Sequence, residues 1–300
     1  MTAYRDAPRH PVSETAQRLR RAAPALRDVD EREAAEALAQ VATTLRRDEG
    51  LVPSLAASTG LSPAGVRWAL DAATRAIDVE VLLSMRRRTG IVFMGRVNSA
   101  GLSAVVLAGN VFTAALRAML LPLLLQVPVL VRCSRRERVL PEALAAALPP
   151  PFDAACAVVD FSPEDEAACR AFTEHVDVLH VYGSDATVLR WRALAPAGAA
   201  FVPHGHGVGA AVVPSFATDL ERAAEGLALD VAAYDQRGCL SPVRVLVEGD
   251  AGRADALAEA LGAALARQEA RMPRGPGDAA ARAAEARWRA TAAALAAHLV

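Results

Sequence analysis

Apolar residues recur every three to four positions through the first 90 residues, then gather into short continuous runs, and this change of period divides the chain. Over 13–47 the apolar positions fall at helical spacing with arginines and acids between them, which predicts helix. Ser62-Pro63 opens a further helical stretch, because proline suits the first helical turn. Leu70, Ile77, Val81 and Met85 continue it, and Thr89-Gly90 reads as its stop. Beyond it, strands predicted at 91–94, 103–107, 127–131, 157–161, 177–182 and 200–202 alternate with helices at 112–125, 136–148, 163–174 and 185–194. Continuous apolar strands alternating with helices predict an α/β fold whose parallel sheet is covered on both faces. A strand at 243–248 follows the turn at 234–242, then alanine-rich helices at 254–270 and 278–299 flank a loop at 272–277. The expected organisation is an N-terminal helical segment (1–90), an α/β domain (91–212) and a third part (213–300).

Composition narrows the function classes. Hydrophobic residues make up 53% and aromatics only 4%, so the core is expected to be alanine, leucine and valine. A net charge of −1 offers no electrostatic footprint for nucleic acid or an anionic membrane surface. The most apolar stretch, 118–131, contains Pro122, Gln126 and Pro128 and is too short to span a bilayer. The opening Met1-Thr2-Ala3-Tyr4-Arg5-Asp6 lacks a signal-peptide pattern, so a cytoplasmic location is expected. Four cysteines without paired short spacings make neither a disulfide framework nor a zinc site. There is no lysine, and all 33 basic residues are arginines. That excludes Schiff-base chemistry and any phosphate loop built on lysine.

Ligands of parallel sheets bind at the carboxyl ends of the strands, which directs attention to Gly109-Asn110, Arg132-Cys133-Ser134, Gly183-Ser184 and His204-Gly205-His206-Gly207-Val208-Gly209. Singly these are ordinary. An asparagine after a strand is usually a cap, and a Gly-Ser before a helix caps it or seats a phosphate. The His-Gly-His pair has no further metal ligand at a sensible spacing, and the glycines at 205, 207 and 209 do not form the dinucleotide fingerprint. Cys239 differs from the other cysteines. Cys156 and Cys169 sit in alanine-rich periodic stretches and Cys133 ends a strand-like run, whereas Cys239 lies between Gly238 and Leu240-Ser241-Pro242, on a turn that substrate can approach.

In order and spacing the loops resemble the aldehyde dehydrogenase superfamily. Leu107-Ala108-Gly109-Asn110, a helix, Val129-Leu130-Val131-Arg132-Cys133-Ser134, Val181-Tyr182-Gly183-Ser184 and finally Cys239 follow that layout, at 22, 73 and 129 residues from Asn110 to Arg132, Gly183 and Cys239. Gly183-Ser184-Asp185, the His-Gly-His-Gly segment and Asp235-Gln236-Arg237-Gly238-Cys239-Leu240-Ser241-Pro242 look most like the fatty acyl-CoA reductases of the bioluminescence type. The resemblance implies an aldehyde-dehydrogenase-like fold in which 91–212 binds the cofactor and 213–300 is a shortened catalytic domain. It implies that Cys239 accepts an acyl group from an acyl-CoA or acyl-carrier thioester, with Asn110 stabilising the oxyanion. It also implies that Arg132, Ser134, Gly183 and Ser184 hold a nicotinamide cofactor. An arginine at 132, where the family has lysine, suits a 2′-phosphate and hence NADPH.

Two departures refine this expectation. The superfamily's general-base glutamate is missing from the His204-Gly205-His206 segment, which favours thioester reduction over aldehyde oxidation; His204 or His206 is a candidate for proton transfer. Only 61 residues follow Cys239, where the family's catalytic domain continues further. That motivates a second reading, a non-catalytic or split-enzyme accessory protein, pairing with a complementary chain or with copies of itself; a third is a hydrolase acting through the same cysteine.

Overall fold

The computed structural model describes residues 10–92, 100–276 and 279–297. They form two compact units, one of Met1–Ser54 with Trp68–Gly207 and the other of Leu55–Arg67 with Val208–Val300. The signal-peptide reading at residues 1–6 lies outside the described residues.

Five helices come first: α1 (Pro11–Arg27), α2 (Glu31–Arg47), α3 (Leu51–Thr59), α4 (Pro63–Arg75) and α5 (Val79–Val92). The single helical stretch expected over 13–47 is two helices. The Asp30 carboxylate accepts hydrogen bonds from the Arg32 and Glu33 amides at 2.8 and 3.4 Å, and so starts α2 anew. Conversely, α5 runs through Gly90 to Val92, so Ile91 and Val92 are helical and not strand. One glycine costs a helix only about 1 kcal/mol, too little to end it where packing favours continuation. Phe93 and Met94, the rest of that expected strand, lie outside the described residues.

In the first unit β1 (Ser103–Val106), β2 (Val129–Arg132), β3 (Cys156–Val159), β4 (Val178–Tyr182) and β5 (Ala200–His204) form a parallel sheet in the order β3-β2-β1-β4-β5. Between them run α6 (Ala114–Leu124), α7 (Val139–Ala147), α8 (Glu166–Thr173) and α9 (Asp185–Leu194). Right-handed crossovers put α6 and α7 on one face of the sheet and α8 and α9 on the other, because the chain reverses direction across the sheet after β3. The second face also receives α1. Its Val12, Ala16 and Leu19, one helical turn apart, pack with Ala104, Val106, Leu130, Leu179, Phe172 and Trp191. The Phe172 and Trp191 rings meet edge to face at 5.4 Å. β1 and β2 are buried at every position, as strands covered on both faces must be.

In the second unit β6 (Gly209–Val213) lies parallel to β7 (Pro242–Val247), followed or flanked by α10 (Leu220–Ala232), α11 (Ala251–Arg271) and α12 (Ala279–Ala297). Ala211, Val213, Val245 and Val247 face a core with Leu227, Ala228, Leu257 and Ala264 from α10 and α11. Val212 and Leu246, paired across the two strands, are exposed on the opposite face. Among the described residues no helix is long and apolar enough to cross a membrane, and no group of side chains could hold a metal ion.

Candidate active site

The chain leaves β1 toward β2 on one side and β4 toward β5 on the other, so the carboxyl ends of β1 and β4 form the switch point of the sheet, where a crevice for ligands opens. Four of the sequence-predicted residues, Asn110, Ser134, Gly183 and Ser184, lie in the loops at this edge of β1, β2 and β4, and Arg132 ends β2. Asn110 is exposed just after β1. Gly109 beside it is required by close packing, since a Cβ there would stand 2.5 Å from the Ser134 hydroxyl oxygen. That hydroxyl in turn accepts the Arg136 amide at 3.2 Å, which fixes the loop after β2.

Arg132 is only 7% exposed. Its guanidinium lies 5.2 Å from the Phe161 ring centre and 6.0 Å from that of Trp191, and Nη2 donates to the Phe161 carbonyl at 3.2 Å. Its buried Nε–H has no hydrogen-bond partner. Burial pulls its pKa down, with Cys169 and Asp160 acting in the opposite direction. A buried guanidinium donor without an acceptor fits an anionic oxygen, which is the group a cofactor phosphate supplies. At β4 the Ser184 hydroxyl caps α9 by accepting the Thr187 amide at 3.3 Å. Asp185 occupies the first turn of that helix and accepts the His206 amide at 3.4 Å, so an anion seated there has a carboxylate as neighbour.

A feature not anticipated from the sequence stands on the α6 face of β4 and β5. Tyr182 and His204, paired across the two strands, stack with ring centres 4.0 Å apart, and His180 lies 5.8 Å from His204 with its ring nearly parallel. The signal was present in the alternation His180-x-Tyr182, which puts both rings on one face, but it needed the β4–β5 register to bring in His204. Burial lowers the pKa of His180, helped by His204, and burial then Arg117 lower that of His204. Both imidazoles are therefore held toward the neutral form.

A stability consequence follows for His180. Its folded-state pKa lies below the ordinary 6.5, so unfolding takes up a proton between those two values and stability falls as pH drops through 6.5. The melting temperature of His180→Phe is expected to fall less than that of the wild type between about pH 7 and pH 5. Equal falls in the two proteins would contradict this origin.

In the second unit, Cys239 is the one exposed cysteine; Cys133, Cys156 and Cys169 are buried. Burial pushes the Cys133 and Cys156 thiols up to about 12, and burial raises that of Cys169 as well, so these three are poor nucleophiles. The turn leading to Cys239 is strained. Tyr234, Asp235 and Gln236 are successive left-handed residues with φ of 56°, 52° and 60°, a conformation that costs about 1–2 kcal/mol per non-glycine residue. Polar contacts hold it there. The Asp235 carboxylate accepts the Gly275 amide at 3.1 Å, and Arg237 donates to the Thr59 carbonyl at 2.8 Å and to that of Tyr234 at 3.1 Å. Gly209, at the start of β6, lies against this turn so closely that a Cβ would come within 2.4 Å of the Ser241 carbonyl oxygen. The anchoring was invisible in the sequence because the partners of Asp235 and Arg237, Gly275 and Thr59, come from distant parts of the chain. Strain concentrated beside an exposed thiol is typical of residues held in place for a task.

Solved structures similar to this chain include aldehyde dehydrogenases. The NAD-dependent aldehyde dehydrogenase from Sinorhizobium meliloti is 21% identical with a TM-score of 0.66 over 84% of this chain and 52% of its own. The NAD-dependent benzaldehyde dehydrogenase from Corynebacterium glutamicum is 17% identical with a TM-score of 0.68, over 84% and 58%. An NADP-dependent enzyme from E. coli is 18% identical with a TM-score of 0.67, over 87% and 57%. The likeness establishes the expected fold, and the chain spans about half the length of these structures. No curated protein matches the sequence. The family model for acyl-CoA reductase (LuxC) matches residues 74–299, from the end of α4 through α12. With that match covering most of its length, and the ordered loops and exposed cysteine within it, the chain belongs to the acyl-CoA reductase (LuxC) family.

Proposed function

We propose that this chain reduces an aliphatic acyl thioester, on CoA or an acyl carrier, to the aldehyde with NADPH, through an acyl-enzyme on Cys239. The observation that carries the reading is the single exposed cysteine, on a strained and anchored turn, inside the region matched by an acyl-CoA reductase family. The Cys239 thiolate attacks the acyl carbon, the carbon–sulfur bond to the carrier thiol breaks, and that thiolate leaves and takes up a proton. The reduced nicotinamide, when bound, supplies the hydride that converts the acyl group to aldehyde and returns Cys239 to thiolate. Asn110 is the proposed side-chain donor to the oxyanion. Arg132 is the proposed anchor for the cofactor's 2′-phosphate, with Ser134, Gly183 and Ser184 around the remaining phosphates; the unpartnered Arg132 Nε supports this. The segment that begins with His204, stacked on Tyr182, carries no carboxylate where the superfamily has its general-base glutamate, and without that base hydride transfer is favoured over hydrolysis.

The test is steady-state turnover of octanoyl-CoA and myristoyl-CoA with NADPH, following NADPH oxidation and the aldehyde together. The reading expects one aldehyde per NADPH, and at least a tenfold preference for NADPH over NADH that Arg132→Leu removes. Free acid formed without cofactor would make the chain a hydrolase. Cofactor binding with no turnover would favour an accessory role, a reading prompted by the half-length match to the aldehyde dehydrogenases.

A further inference from the structure

We propose that the first unit carries a second ligand site, for a medium-chain aliphatic carboxylate, in the cleft between α4, α5 and α6. The cleft holds about 190 Å³ and its walls are apolar save for Thr113 and Arg117. Leu116, Leu120 and Leu121 of α6 face Ala73, Ile77 and Leu82 across it. Apolar cavities of about 150 Å³ stay dry and take up a benzene-sized guest. At about 190 Å³ this cleft is larger than that and has room for a short alkyl chain.

Arg117 decides the chemistry of the head group. It is the only charged residue lining the cleft, it is exposed, and no ion pair joins it to a carboxylate among the described residues. A guanidinium beside an apolar cleft is complementary to a carboxylate on an alkyl chain, which it can bind through two parallel hydrogen bonds. The site uses neither Cys239 nor the loops at the sheet's switch point, and it stands or falls apart from the proposed reduction.

The experiment is calorimetric titration of the purified chain with sodium octanoate and, separately, with 1-octanol. Octanoate is expected to bind at least tenfold more tightly than octanol. Arg117→Gln should bring octanoate down to the affinity of octanol, and Ala73→Leu should weaken both ligands at least tenfold by filling the cleft. Position 73 is half-buried, and melting temperatures near that of the wild type for both variants establish that they are folded. Absence of octanoate binding, octanoate binding unchanged in Arg117→Gln, or binding of either ligand unchanged in Ala73→Leu would each overturn the assignment.

Discussion

Cys239→Ala should lower acyl-CoA reduction at least about ten-thousandfold, a loss of about 5 kcal/mol in transition-state stabilisation, and leave the fold intact. The loss is large because the acyl group has no other acceptor. The remaining cysteines are buried, and burial holds the Cys133 and Cys156 thiols at about 12, so neither can take over. Stability should stay within about 0.5 kcal/mol of the wild type, since an exposed thiol leaves no cavity and breaks no buried hydrogen bond. Parallel urea-unfolding and NADPH-oxidation measurements check both halves. Activity retained in a folded Cys239→Ala protein would remove the cysteine from the mechanism.

The next largest effect is expected at Gly209. A Cβ there would meet backbone on every near side: the Ser241 carbonyl oxygen at 2.4 Å, its carbon at 2.8 Å and the Leu240 oxygen at 3.0 Å. Backbone cannot rotate out of the way as a side chain can, so β6 and the nucleophile turn must part. Gly209→Val should cost the second unit about 1–3 kcal/mol, the range for overpacking, and lower reduction more than the stability loss explains because Cys239 is displaced. Gly226→Ala provides the control. Nothing lies within 4 Å of that position in α10, and removing a helical glycine should instead stabilise by up to about 1 kcal/mol. Equal unfolding midpoints for Gly209→Val and the wild type would contradict the close approach.

Much of the first unit was legible in the sequence because buried parallel strands are continuous apolar runs, and Ser103–Val106 and Val129–Arg132 are buried at every residue. Its loops were legible for the same reason: once the strands are found, their carboxyl ends are known. What the sequence hid is instructive. Gly209–Val213 was not predicted, since Gly-Ala-Ala before two valines has low strand propensity and is held by pairing with β7. The break between α1 and α2 depends on a single capping aspartate, Asp30, within a periodicity that runs on through it. Arg132 was expected in a cofactor loop; burial against Phe161 and Trp191 depends on where α8 and α9 pack, which no local pattern encodes. The ring stack of His180, Tyr182 and His204 likewise required strand register, a non-local property.

The central claim, an acyl group carried on Cys239 and released by hydride, is tested most directly by mass spectrometry of the intact chain mixed with myristoyl-CoA, before and after NADPH is added. The account predicts one covalent acyl group, mapped to the peptide bearing Cys239, that disappears on addition of NADPH as an equal amount of aldehyde forms. An acyl group on another residue, or one that NADPH leaves in place while free acid slowly accumulates, would contradict it.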